Sequence, residues 1–189
     1  VNCYGFYFGG TNNSAENSSI IDSLGQASNF NGFYGIYFSF SSGNSVRNVI
    51  IRNVTAPTGA ISHSAYGIFL RSAQNNVFRG INISGMGNGM LDYDVFAETL
   101  TIDPLNNTFI NSSYNLEKEY TEGSIIRKWY YTAYVNDTNG NNVSNANITA
   151  YNSTGSYQFN LTTDSSGLTS SAEIIDYIKT SLDVNSLLV

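Results

Sequence analysis

The chain has 189 residues, a net charge of −6 and only 12% charged residues, about half the usual share. That balance excludes a nucleic-acid binder, which needs clustered Lys and Arg. A single Cys excludes an internal disulfide, and no apolar run approaches the ~18 residues of a membrane-spanning helix.

At this length the chain makes one domain or two small ones. With 41% hydrophobic residues, of which the aromatics make up 14% of the chain, much of any core must be aromatic. No signal-peptide pattern is visible in the sequence, and the strand-like start at Val1 fits a processed or partial chain. Cys3 reads as a small core residue.

In chain order, residues 1–29 read as a first, loose coil. Tyr4-Gly5-Phe6-Tyr7 precedes Tyr34-Gly35-Ile36-Tyr37 by 30 residues, and Ile21 and Leu24 precede Ile51 and Val54 by the same step. On that step Glu16 and Ser19 take the places of Val46 and Val49. The second coil, about 30–60, has apolar residues at +2, +5, +7 and +10 from Asn44: Val46, Val49, Ile51 and Val54. The third, about 61–90, repeats it 32 residues later with Phe78, Ile81, Ile83 and Met86 after Asn76, and with Tyr66-Gly67-Ile68-Phe69 ahead. A fourth begins near Tyr93-Asp94-Val95-Phe96 and runs through Asn107, Phe109 and Tyr114. Self-similarity at this period marks stacked supersecondary units. Short alternating segments between Gly, Ser and Asn make them β and not α. Tyr4, Tyr34, Tyr66 and Tyr93 should then form one column, and Asn44, Asn76 and Asn107 another.

Residues 116–126 carry a small charge cluster and mark a boundary. Beyond it, alternating segments at 8–12-residue spacing with Asn-Gly and Ser-Gly turns predict a small β-sandwich. Its last segment, 179–189, does not close it, so a final strand is missing or comes from another chain.

The N-x-V/F-x-x-V/I-x-I-x-x-V/M template resembles the coil of right-handed parallel β-helix proteins, a group spanning pectate-lyase-like enzymes, phage tailspikes and many archaeal and bacterial surface proteins. Asp137-Thr138-Asn139-Gly140 with Val143-Ser144 and Ala146, followed by Thr163-Asp164-Ser165-Ser166-Gly167, resembles Ig-like modules of the carboxypeptidase-regulatory and collagen-adhesin B type. The resemblances imply an all-β chain: a right-handed parallel β-helix of about four coils over 1–120, then a small Ig-like β-sandwich, whole or incomplete, over 121–189. Modules of the second type act as spacers or stalks. Those that crosslink covalently need a core Lys and acid, for which Lys128 and Glu173 are the plausible pair.

Function is less legible, because this fold hosts both enzymes and inert scaffolds. The strongest signal is Asn-x-Ser/Thr. The composition, 26 Asn with 40 Ser plus Thr, gives roughly 5–6 acceptor sequons. The sequence has eleven, at Asn12, Asn17, Asn53, Asn82, Asn106, Asn111, Asn136, Asn142, Asn147, Asn152 and Asn160, which points to secretion and N-linked glycans on a weakly charged surface. Residues 34–86 contain no acid. Asp92, Asp94 and Glu98 are the candidate Ca²⁺ ligands, set against the simpler reading of solvated turn acids. His63 sits in a Ser-rich loop without a catalytic partner. Arg47 and Arg79 should lie one coil apart and either splay or hold an anion between them. An uncapped coil stack invites another chain, head to tail or by strand addition.

These readings converge on an extracellular, N-glycosylated structural protein of a surface layer, stalk or self-assembling filament, without catalysis or a cofactor. The alternatives are a polysaccharide lyase or hydrolase and a carbohydrate-binding adhesin using exposed Tyr.

Overall fold

The computed structural model describes residues 2–22, 32–55, 64–86, 92–115, 117–120, 123–180 and 183–186. They are all-β. Coil one holds β1 (Asn2–Phe8), β2 (Ser14–Glu16) and β3 (Ser19–Ile21). Coil two holds β4 (Gly32–Ser39), β5 (Ser45–Arg47) and β6 (Ile50–Arg52), and coil three β7 (Ala65–Arg71), β8 (Val77–Arg79) and β9 (Asn82–Ser84). Coil four has β10 (Tyr93–Glu98) and β11 (Asn107–Ile110), and a partial turn follows with β12 (Glu117–Tyr120). Equivalent strands pair in parallel, giving sheets ordered β1-β4-β7-β10-β12 and β3-β6-β9, and the run β11-β8-β5-β2 of a third sheet.

The template spacing has a backbone cause. Among the described residues, positions −1, +4 and +9 from the ladder asparagines adopt the left-handed region, for example Asn12, Asn17 and Asp22 in coil one and Gly43, Asn48 and Asn53 in coil two. Asn, Asp and Gly tolerate that conformation best. Each such residue turns the chain, so inward positions step by three across a corner and by two along a strand. Val46, Val49, Ile51 and Val54 are consequently all buried, as are Phe78, Ile81, Ile83 and Met86. Removing a side chain of this size from water is worth about 1.5–3 kcal/mol. Phe78 stacks on Phe109 at 4.4 Å and Phe8 on Phe38 at 4.5 Å.

The Gly of Tyr-Gly-Ile marks a close approach. A Cβ on Gly35 would lie 2.6 Å from the Gly67 carbonyl oxygen and 2.7 Å from Ile51, and one on Gly67 2.6 Å from the Asp94 carbonyl and from Ile83.

Coil one corrects the sequence reading by one residue. Tyr4 pairs with Tyr34, as expected, but Ala15 pairs with Val46, Glu16 with Arg47 and Ile20 with Ile51. Between Phe8 and Thr11 the chain has two residues where coil two has Ser39, Phe40 and Ser41 between Phe38 and Ser42, so the step changes from 30 to 31. Ile20 is therefore in the core and Ile21 is 47% exposed. A one-residue slip swaps the faces of a strand. Leu24 lies outside the described residues.

β13 (Ser124–Tyr131) pairs in parallel with β11 and, on its other side, antiparallel with β16 (Ala172–Thr180), which pairs with β17 (Asp183–Ser186). The third sheet thus runs unbroken across position 120/121, in the order β17-β16-β13-β11-β8-β5-β2. β14 (Asn147–Tyr151) and β15 (Tyr157–Thr162) form a separate antiparallel hairpin. Every buried hydrophobic side chain among the described residues lies at or before Ile125; beyond it the buried side chains are Thr163 and Thr169.

Three loops in this second region share one construction. Asp137, Asn152 and Asp164 each accept, through one side-chain oxygen, the backbone N–H groups two and four residues on. Each carbonyl also receives the N–H of a left-handed Gly: Gly140, Gly155 or Gly167. This is a turn followed by a glycine bulge.

Candidate functional site

The outer face of the five-stranded sheet carries two interleaved aromatic columns. Tyr34 stacks on Tyr66 at 5.5 Å and 13°, and Tyr66 on Tyr93 at 6.5 Å and 9°. Tyr7, Tyr37, Phe69 and Phe96 form the second column, with neighbouring rings 5.3–5.6 Å apart. The columns touch, Tyr34 lying 4.9 Å from Tyr37 and Tyr66 4.9 Å from Phe96. Both faces of the Tyr66 ring are covered, by Tyr34 and by Tyr93, so solvent meets ring edges. A sugar that stacks needs an open face. Burial, with smaller contributions from Tyr37 and Tyr66, pushes the Tyr34 hydroxyl up to about 12. Beside the columns Arg71 donates to the Tyr37 hydroxyl at 3.5 Å and lies 3.5 Å from Glu98.

The candidate Ca²⁺ ligands serve neighbouring coils. Asp92 is buried and accepts the Ala65 N–H at 2.8 Å; Asp94, also buried and standing opposite Gly67, accepts the Asn115 N–H at 2.6 Å. Glu98 faces Arg71. No group of three or more His, Cys, Asp or Glu side chains among the described residues is placed to hold a metal. His63 lies outside the described residues.

Arg47 and Arg79 are register partners, as their shared offset predicted. They line a cleft of about 270 Å³ with Asn48, Gly80, Asn111 and Tyr130. Glu173 reaches Arg79 at 3.7 Å and Lys128 at 3.2 Å. The Lys128–Glu173 pair is thus a partly exposed ion pair shared with a coil arginine, not the enclosed pair a crosslinking module needs.

The asparagine column is complete and longer than expected. Asn13 donates through its N–H and Nδ2 to Asn44 Oδ1 at 2.8 and 3.1 Å. Asn44 donates likewise to Asn76 at 3.0 and 2.9 Å, and Asn76 to Asn107 at 3.3 and 2.9 Å. Asn44, Asn76 and Asn107 are buried, and Asn13 is exposed. Asn13 escaped the sequence reading because of the one-residue slip; counted from Asn13, +2 and +7 give Ala15 and Ile20.

Of the eleven sequon asparagines, ten are exposed and Asn152 is half-buried. Asn12, Asn17, Asn53, Asn106 and Asn111 occupy left-handed corners. Some are tied to a neighbouring coil: Asn53 Nδ2 donates to Asp22 at 2.8 Å, Asn106 Nδ2 to Asn75 at 3.3 Å, and Asn17 Oδ1 accepts from Asn48 at 3.1 Å. Part of the sequon excess therefore has a structural origin. Corners want Asn, and the following strand admits Ser or Thr two residues later.

A second cluster, at the far end of the coil core, was not foreseen. Arg127 is the register partner of Phe109. Its guanidinium lies 4.9 Å from the ring centres of both Tyr114 and Trp129, and 3.7 Å from Asp176, which also accepts from Trp129 Nε1 at 3.0 Å. Lys179 donates to the Glu117 carbonyl at 2.9 Å. Burial raises the hydroxyls of Tyr114 and Tyr177 above the usual range. These groups end the apolar core with a partly desolvated polar layer, a placement that the Arg127 and Trp129 of one strand hinted at only through their alternation.

No family description, curated protein or solved structure matches this chain. Among the described residues no helix is long and apolar enough to cross a membrane.

Proposed function

We propose that this chain is part of an extracellular structural protein: a right-handed parallel β-helix leading into an Ig-like module, N-glycosylated and built into a surface layer, stalk or filament. The observation that carries the reading is how the polar side chains inside the coils are used. Asn44, Asn76 and Asn107 hydrogen-bond in a column, and Asp92 and Asp94 accept backbone N–H groups. Groups that could do chemistry are thereby committed to holding coils together. The exposed sequons add a surface suited to glycans, and the occupied ring faces of the tyrosine column speak against a sugar-stacking adhesin.

The test is electron microscopy of the native material with intact-glycopeptide mass spectrometry. Regular filaments or sheets with hexose-bearing peptides at Asn136, Asn142 or Asn147 are expected. Monodisperse, unglycosylated particles that release unsaturated sugars from a polysaccharide would overturn the reading.

A further inference from the structure

We propose that the face formed by β1, β2 and β3 seats one more parallel coil of the same template, ahead of β1 in the same polypeptide, with an asparagine above Asn13. The inference goes beyond the structural role and does not depend on secretion or glycosylation.

Three observations carry it. First, β1, β2 and β3 are the end strands of all three coil sheets, so three rows of backbone groups end on one face. Second, exposure rises at that face in column after column. Tyr7 is 52% exposed where Tyr37 and Phe69 below it are 6% and 5%. Asn13 is exposed where Asn44 is 1%. Ala15 and Ser18 stand where Val46 and Val49 fill the next coil, and with Phe6 and Phe8 they line a cleft of about 720 Å³. Third, the asparagine column has a direction. Asn13, Asn44 and Asn76 each donate N–H and Nδ2 to the Oδ1 of the asparagine one coil later, while Asn44 and Asn107 also send Nδ2 back to the Gly10 and Ala73 carbonyls of the coil before. At Asn13 both donors are used on Asn44, and Oδ1 has no partner among the described residues. What fits is an asparagine in a parallel coil that comes before it.

The direction also selects the source. A second copy stacked head to tail would have to present Asn107, but below Asn107 the next register position is the buried Ile125, and β13 there pairs with β16. A second copy placed face to face would set one Asn13 Oδ1 against another, acceptor against acceptor.

The test joins a copy of residues 32–63 directly to Asn2, whose register partner Gly32 is followed one coil later by Ser64, and follows amide exchange by mass spectrometry. The amides of β1–β3 are expected to slow by about tenfold or more, and Ala in place of the added coil's ladder asparagine should cancel the slowing around Asn13. Independently, a synthetic peptide of residues 32–55 added to the unextended chain should protect the same amides saturably, and the peptide carrying Asn44→Ala should not. Absence of protection in both experiments overturns the proposal. So does an unextended chain that self-associates in light scattering with β1–β3 already protected, since a second copy would then occupy the face.

Discussion

Asparagine plays two separate parts in this chain, and the difference is burial. At Asn44, Asn76 and Asn107 of the ladder it is a buried donor and acceptor; at the corners it supplies a left-handed backbone. Asn76→Ala removes the acceptor of two buried donors on Asn44 and is expected to cost on the order of 3 kcal/mol in urea unfolding, whereas Asn13→Ala, exposed and with an open acceptor, should cost under about 1 kcal/mol. Gly35→Ala brings a methyl group onto the Gly67 carbonyl oxygen and Ile51, and the coils must part to admit it. A loss of about 1–3 kcal/mol is expected, read as a lowered urea midpoint at unchanged slope. The ladder was legible in the sequence because its members recur at fixed offsets. Asn13 was not, because the short corner after β1 shifts the count by one and only the backbone register reveals it.

At the scale of elements, the strands were visible through the spacing of apolar residues, while the corners between them were not. The pattern +2, +5, +7, +10 makes sense once a left-handed residue at +4 and +9 turns the chain. The three glycine-bulge loops follow similar logic with Asp or Asn as the keystone, and two of them titrate. The Asn141 side chain and then its N–H hold the Asp137 carboxyl below the ordinary 3.8, and the Ser166 hydroxyl and N–H do so for Asp164. With folded values depressed, the loop bonds are fully present above the ordinary carboxylate range and lost as pH falls through the folded values. NMR shifts of the Asn139, Asn141, Ser166 and Leu168 amides should move together below pH 3.8, and Asp137→Asn should abolish the movement in its own loop. The aromatic columns give the opposite dependence. Tyr34, raised from 10.0 to about 12, stays protonated while an unfolded tyrosine ionises, so stability should fall as pH rises beyond about 10. The part of the near-ultraviolet tyrosinate absorbance that Tyr34→Phe removes is expected to appear together with unfolding and not before it.

For the whole molecule, the sequence pattern changes between the coil stack and the second region but does not show how they join. Sequence reading placed a boundary at the charges of 116–126, and nothing in the periodicity said that β13 belongs to both sides. Pairing with β11 and β16 decides it, and the Arg127 layer seals the apolar core at that point. Arg127→Ala removes packing from Tyr114 and Trp129 and leaves Asp176 without its cation. A loss of about 2–3 kcal/mol is expected, monitored by Trp129 fluorescence, with Arg127→Lys recovering little because an ammonium cannot lie flat on two rings. The double membership of β13 also has a mechanical meaning. The chain leaves the stack at Tyr131 in the direction of the strand, so tension on the outer arm pulls β13 along its own axis. β16, which the same arm enters at Ala172 beside Tyr131, is drawn along with β13, so the row of hydrogen bonds between β13 and β11 bears the load in shear. A tether joined in this way resists tugging as a riveted lap joint does, and should give way only when that whole row slips at once.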